Sequence, residues 1–179
     1  MSDGPRRQPP ISQPGGPLRR MVPGPPQRAE PTTCLVVGWD RRPASTVALR
    51  YAVDLAHRLT AHIHVVHIVD LDDMPIDPDA PDWGEQMLAT VTGEAAEARA
   101  LLDGLAASWT YHGGRGDPAH LLSLVADTYS AIAVVIGSPR GGLMSFIDTV
   151  MGQSVSHRLI GERHTPLLLV PADTAVIAR

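Results

Sequence analysis

Hydrophobic and polar positions alternate along the chain between two kinds of stretch. Short continuous apolar runs stand at 34-CLVVGW-39, 63-IHVVHIV-69, 131-AIAVVIG-137 and 165-TPLLLVPA-172, with a weaker one at 108-SWTYHGG-114. Between them lie segments of helical period. Residues 44-ASTVALRYAVDLAHRL-59 place Val47, Ala48, Tyr51, Ala52, Leu55 and Leu59 on one face, just after Pro43. Residues 84–107 are rich in Ala, Glu and Leu, though Gly93 and Gly104 weaken them as a helix. Residues 117-DPAHLLSLVADTYS-130 open with Pro in the first turn, and 154-SVSHRLIGE-162 form a last helix. The segment 70-DLDDMPIDPDAPDW-83 is acidic and proline-rich and reads as a loop.

Strands that are apolar on both faces, separated by helices, predict a parallel sheet covered on both sides. Five strands and about four helices give a doubly wound α/β domain. In that architecture ligands sit beyond the C-terminal ends of the strands, where the strand order reverses. Asp40, the stretch from Ile68 to Asp70, and the stretch from Gly137 to Arg140 are therefore expected to share one rim.

Residues 1–32 differ in kind. They hold nine Pro and five Arg against two acidic residues, and little that is able to form a core. This composition predicts a disordered tail of net charge +3, followed by an α/β domain over residues 33–179 with 10 Arg against 17 acidic residues. All 15 basic residues are Arg. A folded body of net charge −7 with scattered Trp39, Trp83 and Trp109 offers no basic, aromatic surface for nucleic acid. With no apolar run of membrane-spanning length and no secretory leader, the chain reads as cytoplasmic.

Cys34 lies within an apolar run and reads as a buried, inert thiol. In 62-HIHVVH-67, His62 and His64 share one strand face and His67 takes the other; no third ligand at metal spacing completes a site. There is no Gly-x-Ser-x-Gly elbow, and without lysine there is no P-loop lysine, so no catalytic residue is assigned and ATP turnover is expected to be slow at most.

Four stretches together resemble the universal stress protein family: 35-LVVGWDRRPAS-45, 65-VVHIVD-70, 116-GDPAHLLSLVADTYSAIAVVIGS-138 and 154-SVSHRLIGERHTPLLLVP-171. The resemblance covers nearly all of residues 33–172. It implies a five-stranded parallel sheet of order 3-2-1-4-5, a homodimer joined through the last strand (167–171), and stress-response regulation through a bound adenine nucleotide, ATP with Mg²⁺. In the ATP-binding pattern, Gly-x-x-Gly-x9-Gly-Ser/Thr, glycines let backbone N–H groups close on phosphate and the last pair opens a helix. Carried over by position, Asp40 holds the adenosine portion and the backbone at Ile68 contacts adenine. Gly137 is the first glycine, and Ser154, Val155 and Ser156 open the helix.

The middle of the motif departs from the pattern. Arg140 stands where the second glycine belongs, Gln153 precedes Ser154, and Gly152 lies fifteen positions after Gly137 instead of thirteen. Arg41-Arg42 replaces the family's common Gly-Ser after the strand-one Asp. Two readings remain open. In one, Arg41, Arg42 and Arg140 supply guanidinium groups for phosphate while Gly142 supplies the flexible position in a shifted register. In the other, the phosphate cradle is lost and the chain is a dimeric scaffold for a protein partner. Capping alone also accounts for several of these residues: Gly137 ends a strand, Gly152 closes a short helix, Ser154 opens the next and Asp40 caps the first.

Overall fold

The computed structural model describes residues 18–24, 30–68, 92–93, 96–102, 108–114, 116–138, 159 and 165–174. In chain order these give β1 (Leu18–Pro23), β2 (Thr33–Gly38), α1 (Pro43–Leu59), β3 (Ala61–Ile68), β4 (Trp109–Gly114), α2 (Pro118–Tyr129), β5 (Ala133–Ser138) and β6 (Leu167–Pro171). Residues 96–102 are also helical.

The six strands form one sheet of order β1-β4-β3-β2-β5-β6. The five strands anticipated from sequence are parallel neighbours in the anticipated order. The sixth corrects that reading: Leu18–Pro23, within the stretch read as a disordered tail, runs antiparallel on β4. Composition misses it because β1 does not need a core of its own. It completes the hydrogen-bond ladder of β4 and lays Val22 against a core that other elements build.

Successive residues of each strand point to opposite faces, and the two cores sort accordingly. Leu35, Val37, Ile63 and Val65 join Leu49 and Val53 of α1 on one side; Val36, Val66 and Val134 join Leu122 and Val125 of α2 on the other. Each such side chain, fully buried, contributes roughly 1.5–3 kcal/mol. Gly116 at φ 111, the Asp117 cap on the His120 N–H (3.0 Å) and Pro118 make 116-GDP-118 the start signal of α2. Both helices end on left-handed non-glycine residues, Thr60 (φ 51) and Ser130 (φ 53).

Candidate functional site

β2 lies between β3 and β5, so the C-terminal ends of β2 and β5 open the crevice where the chain's path across the sheet reverses. Asp40 stands just past β2. Its Oδ1 accepts the Arg42 backbone N–H at 3.0 Å and the Ser45 hydroxyl at 2.5 Å, while the Asp40 N–H reaches Ser45 Oγ at 3.3 Å. Asp40 therefore braces the turn into α1 from outside the helix. The cap position itself is Arg42, whose side chain makes no capping bond. Oδ2 lies 3.8 Å from Arg42 Nε, and the Asp40 side chain is 55% exposed. A half-exposed carboxylate oriented by two donors, its second oxygen engaged, among the described residues, only by this long contact to Arg42, is ready to accept a hydroxyl or amine from a ligand.

Arg41 adopts φ 66, a conformation that glycine takes without cost. Its guanidinium forms a two-point contact with Glu97, Nε to Oε2 at 2.8 Å and Nη2 to Oε1 at 2.8 Å. In this structure the Arg41 side chain joins the turn to residues 96–102 and is not offered to an anion at the rim. Both partners are half exposed, so the pair contributes no more than about 1 kcal/mol. Arg42 stays largely in solvent beside Asp40.

Beneath this turn, Trp39 donates Nε1–H to Thr46 Oγ1 at 3.4 Å and packs a tilted ring against His67, centroids 5.5 Å apart. His67 Nδ1 meets the Tyr111 hydroxyl at 2.9 Å. Burial, reinforced by the Arg41 charge, lowers the His67 pKa to about 4, so it is neutral at pH 7. Sequence reasoning missed this Trp39–His67–Tyr111 floor; the signal was the opposite phase of His67 relative to His62 and His64, which sends it to the face that carries Tyr111.

Gly137, on β5, is close to the start of α1. A Cβ there would lie 2.4 Å from the Ala44 carbonyl carbon and oxygen and 2.7 Å from the Ser45 nitrogen. Its glycine is thus required by the approach of α1 to the strand, and this contact brings Asp40 and Ser45 to the same crevice. Ile68 ends β3, its backbone paired with Gly114. Arg140, Gly142, Gly152, Gln153, Ser154, Val155 and Ser156 lie outside the described residues.

The histidine run sorts by face as expected, and a partner strand completes it. His62 hydrogen-bonds Ser108 Oγ (2.6 Å) and Thr110 Oγ1 (2.9 Å); His64 Nδ1 meets His112 Nε2 at 3.0 Å; Tyr129 stacks on His64 with centroids 3.9 Å apart. Desolvation pushes all three imidazoles down, to about 4 for His62 and His112 and about 2 for His64. Cys34 donates its thiol to the Tyr129 carbonyl at 3.2 Å, and burial raises its pKa to about 11, as suits an inert thiol. Among the described residues no group of His, Cys, Asp or Glu is arranged to hold a metal.

With this geometry in place, comparison with known proteins is decisive at the level of family. The model of the universal stress protein family matches residues 34–171. The chain belongs to the universal stress protein family. A universal stress protein of Mycolicibacterium smegmatis is 33% identical over 147 residues, 76% of this chain and 45% of that protein, so the chain spans just under half the length of this curated relative. Among solved structures, a universal stress protein in complex with cAMP is similar at TM-score 0.57 and 18% identity, covering 80% of this chain and 100% of that one. A universal stress protein of Archaeoglobus fulgidus in complex with dAMP is similar at TM-score 0.52 and 18% identity, covering 76% and 96%. At these identities the structures speak for the fold. No described helix is long and apolar enough to cross a membrane.

Proposed function

We propose that this chain is a stress-response regulatory protein of the universal stress type that binds an adenine nucleotide, ATP in the first instance, in the crevice between β2 and β5. The carrying observation is Asp40: a family-position carboxylate at the strand-order reversal, held through Oδ1 by two donors, with a half-exposed side chain whose Oδ2 lies 3.8 Å from Arg42. Relatives of the same fold with bound cAMP and dAMP support an adenine nucleotide as the ligand class.

In this reading Asp40 accepts the ribose hydroxyls and the backbone at Ile68 meets the base. Gly137 opens the loop in which Arg140, Gly142, Gly152, Gln153, Ser154, Val155 and Ser156 receive the phosphates. Mg²⁺ enters only as the counter-ion of the triphosphate. The protein acts in the cytoplasm as a homodimer joined through residues 167–171, and the nucleotide is a signal or stabilising ligand, turned over slowly if at all.

Titration calorimetry and thermal melting with millimolar ATP and Mg²⁺ test this reading, since a ligand that binds only the folded state raises its stability. Binding heat and a raised Tm, both lost in Asp40→Ala, are expected. Absence of heat and of any Tm shift in the native protein overturns it.

One observation favours a second reading. Asp40 Oδ1 and Gly137 are each accounted for by the approach of α1 alone, with no ligand. A fold-conserving scaffold that has lost the nucleotide and holds a protein partner would keep both. It predicts a stable dimer indifferent to ATP.

A further inference from the structure

β4 has the composition of an interior strand. Its sequence, WTYHGG, contains no Lys, Arg, Asp, Glu or Pro, and Trp109, Tyr111 and His112 are at most 1% exposed. Strands that end a sheet normally carry charge or proline to deter pairing with another molecule. Here those devices stand on β1 instead: 18-LRRMVP-23 holds Arg19, Arg20 and Pro23, and its register slips between Leu18 and Arg20.

The ladder gives Pro23 a specific place. Gly24 N–H donates to the Trp109 carbonyl at 2.8 Å. Bonded pairs alternate along an antiparallel ladder, so Gly24 and Val22 bond toward β4 while the Pro23 nitrogen faces outward. The missing N–H therefore falls on the free side of the sheet and costs the β1–β4 ladder nothing. The fit is close at the turn out of the strand: a Cβ on Gly24 would lie 2.6 Å from Trp109 Cε2. Val22 packs on the core, and the Tyr129 hydroxyl donates to Met21 Sδ at 3.7 Å.

We infer that Leu18–Gly24 is a guard strand. It occupies a pairing edge on β4 that, once vacated, takes β4 of a second copy of this chain, and it replaces that edge with one interrupted by Pro23 and by a register slip. The edge lies three strands from β5, so this assembly is separate from the nucleotide crevice and from any dimer through β6.

The test uses the full chain and two variants. Val22→Pro removes an N–H that points at β4, and Gly24→Val drives a side chain into the Trp109 indole. Sedimentation velocity across a hundredfold concentration range, with far-UV circular dichroism as the check on folding, reads the outcome. The native protein is expected to keep one assembly size and to ignore an added peptide of residues 16–26. Each folded variant is expected to form larger species that grow with concentration, at least doubling the native mass. The same peptide in excess should return them to the native size and restore slow amide exchange over residues 109–114. Native-sized variants that take up no peptide overturn the proposal. If Val22→Pro loses its circular dichroism signal, Gly24→Val decides by the same criteria. If both unfold and the peptide rescues neither, β1 is part of the folding core and the guard role is rejected.

Discussion

At the N-terminal end of β3, His62 and His64 with His112 from β4 form a dense polar cluster, largely shut from water and stacked on Tyr129. At the C-terminal end of the adjacent β2, Asp40 is half exposed, held by Ser45 and a backbone N–H, with the solvent-facing Arg42 side chain 3.8 Å away. The cluster has the chemically richer inventory, yet both His62 nitrogens are taken by Ser108 and Thr110, and His64 Nδ1 and His112 Nε2 by each other. The remaining His112 Nδ1 is sealed in the interior without a partner among the described residues. Groups so enclosed serve a core. The plain carboxylate is half exposed at a strand-order reversal, its Oδ2 engaged by a long contact to the solvent-facing Arg42, and that is where a ligand has something to bind. Availability, more than chemical variety, distinguishes a binding position from packing.

The sharpest way to break the contrast is at Gly137, which belongs to the rim by position and to the core by contact. Gly137→Val forces a side chain into the Ala44 carbonyl, and α1 must withdraw. A loss of more than about 3 kcal/mol in urea unfolding is expected, at or beyond the upper end of ordinary overpacking, together with loss of nucleotide binding. On the α1 face, Leu49→Ala should cost about 2–5 kcal/mol as a purely apolar reference, leaving affinity unchanged.

Acid should weaken the fold through its buried histidines. His62, His64 and His112 have folded pKa values below the ordinary 6.5, so the unfolded chain binds more protons on acidification. Stability is complete above pH 6.5 and falls as pH drops toward 4, by up to about 1.4 kcal/mol per pH unit for each histidine charged only when unfolded. His67 adds to the same loss. Double protonation would also set two N–H groups against each other across the 3.0 Å His64–His112 contact. Urea midpoints at pH 7, 6 and 5 check the sign; stability that is flat or rising over that range contradicts it.

Asp40→Ala is the complement. It removes two accepted bonds at an exposed turn, for a stability loss of about 1 kcal/mol, while nucleotide affinity falls at least tenfold. The smallest effect is at the end of α1, where Thr60→Gly relieves a left-handed residue and should raise stability by about 0.5–1 kcal/mol.

Much of the fold was legible because parallel strands must be apolar on both faces: all five runs became strands, and His62, His64 and His67 took the faces that their spacing dictates. β1 was not legible, since its stability is supplied by the open ladder of β4 and not by the composition of 18-LRRMVP-23. At the rim, position nominated Asp40 and Gly137, but pairwise partners could not be read. Ser45 falls at the start of the helical stretch 44–59, and its bond to Asp40 depends on the turn geometry that Arg41 adopts. One of the two open readings gave Arg41 to phosphate, whereas Glu97, fifty-six residues later, takes its guanidinium. Spacing along the chain carries no information about such a contact.

The central claim is a nucleotide in the crevice beside Asp40. Mass spectrometry of the purified protein, under native and then denaturing conditions and without added nucleotide, tests it most directly. Near-stoichiometric release of ATP, ADP or AMP from the native protein, with none from Asp40→Ala, is the predicted result. A protein that releases nothing, and takes up nothing when ATP and Mg²⁺ are supplied, would contradict it.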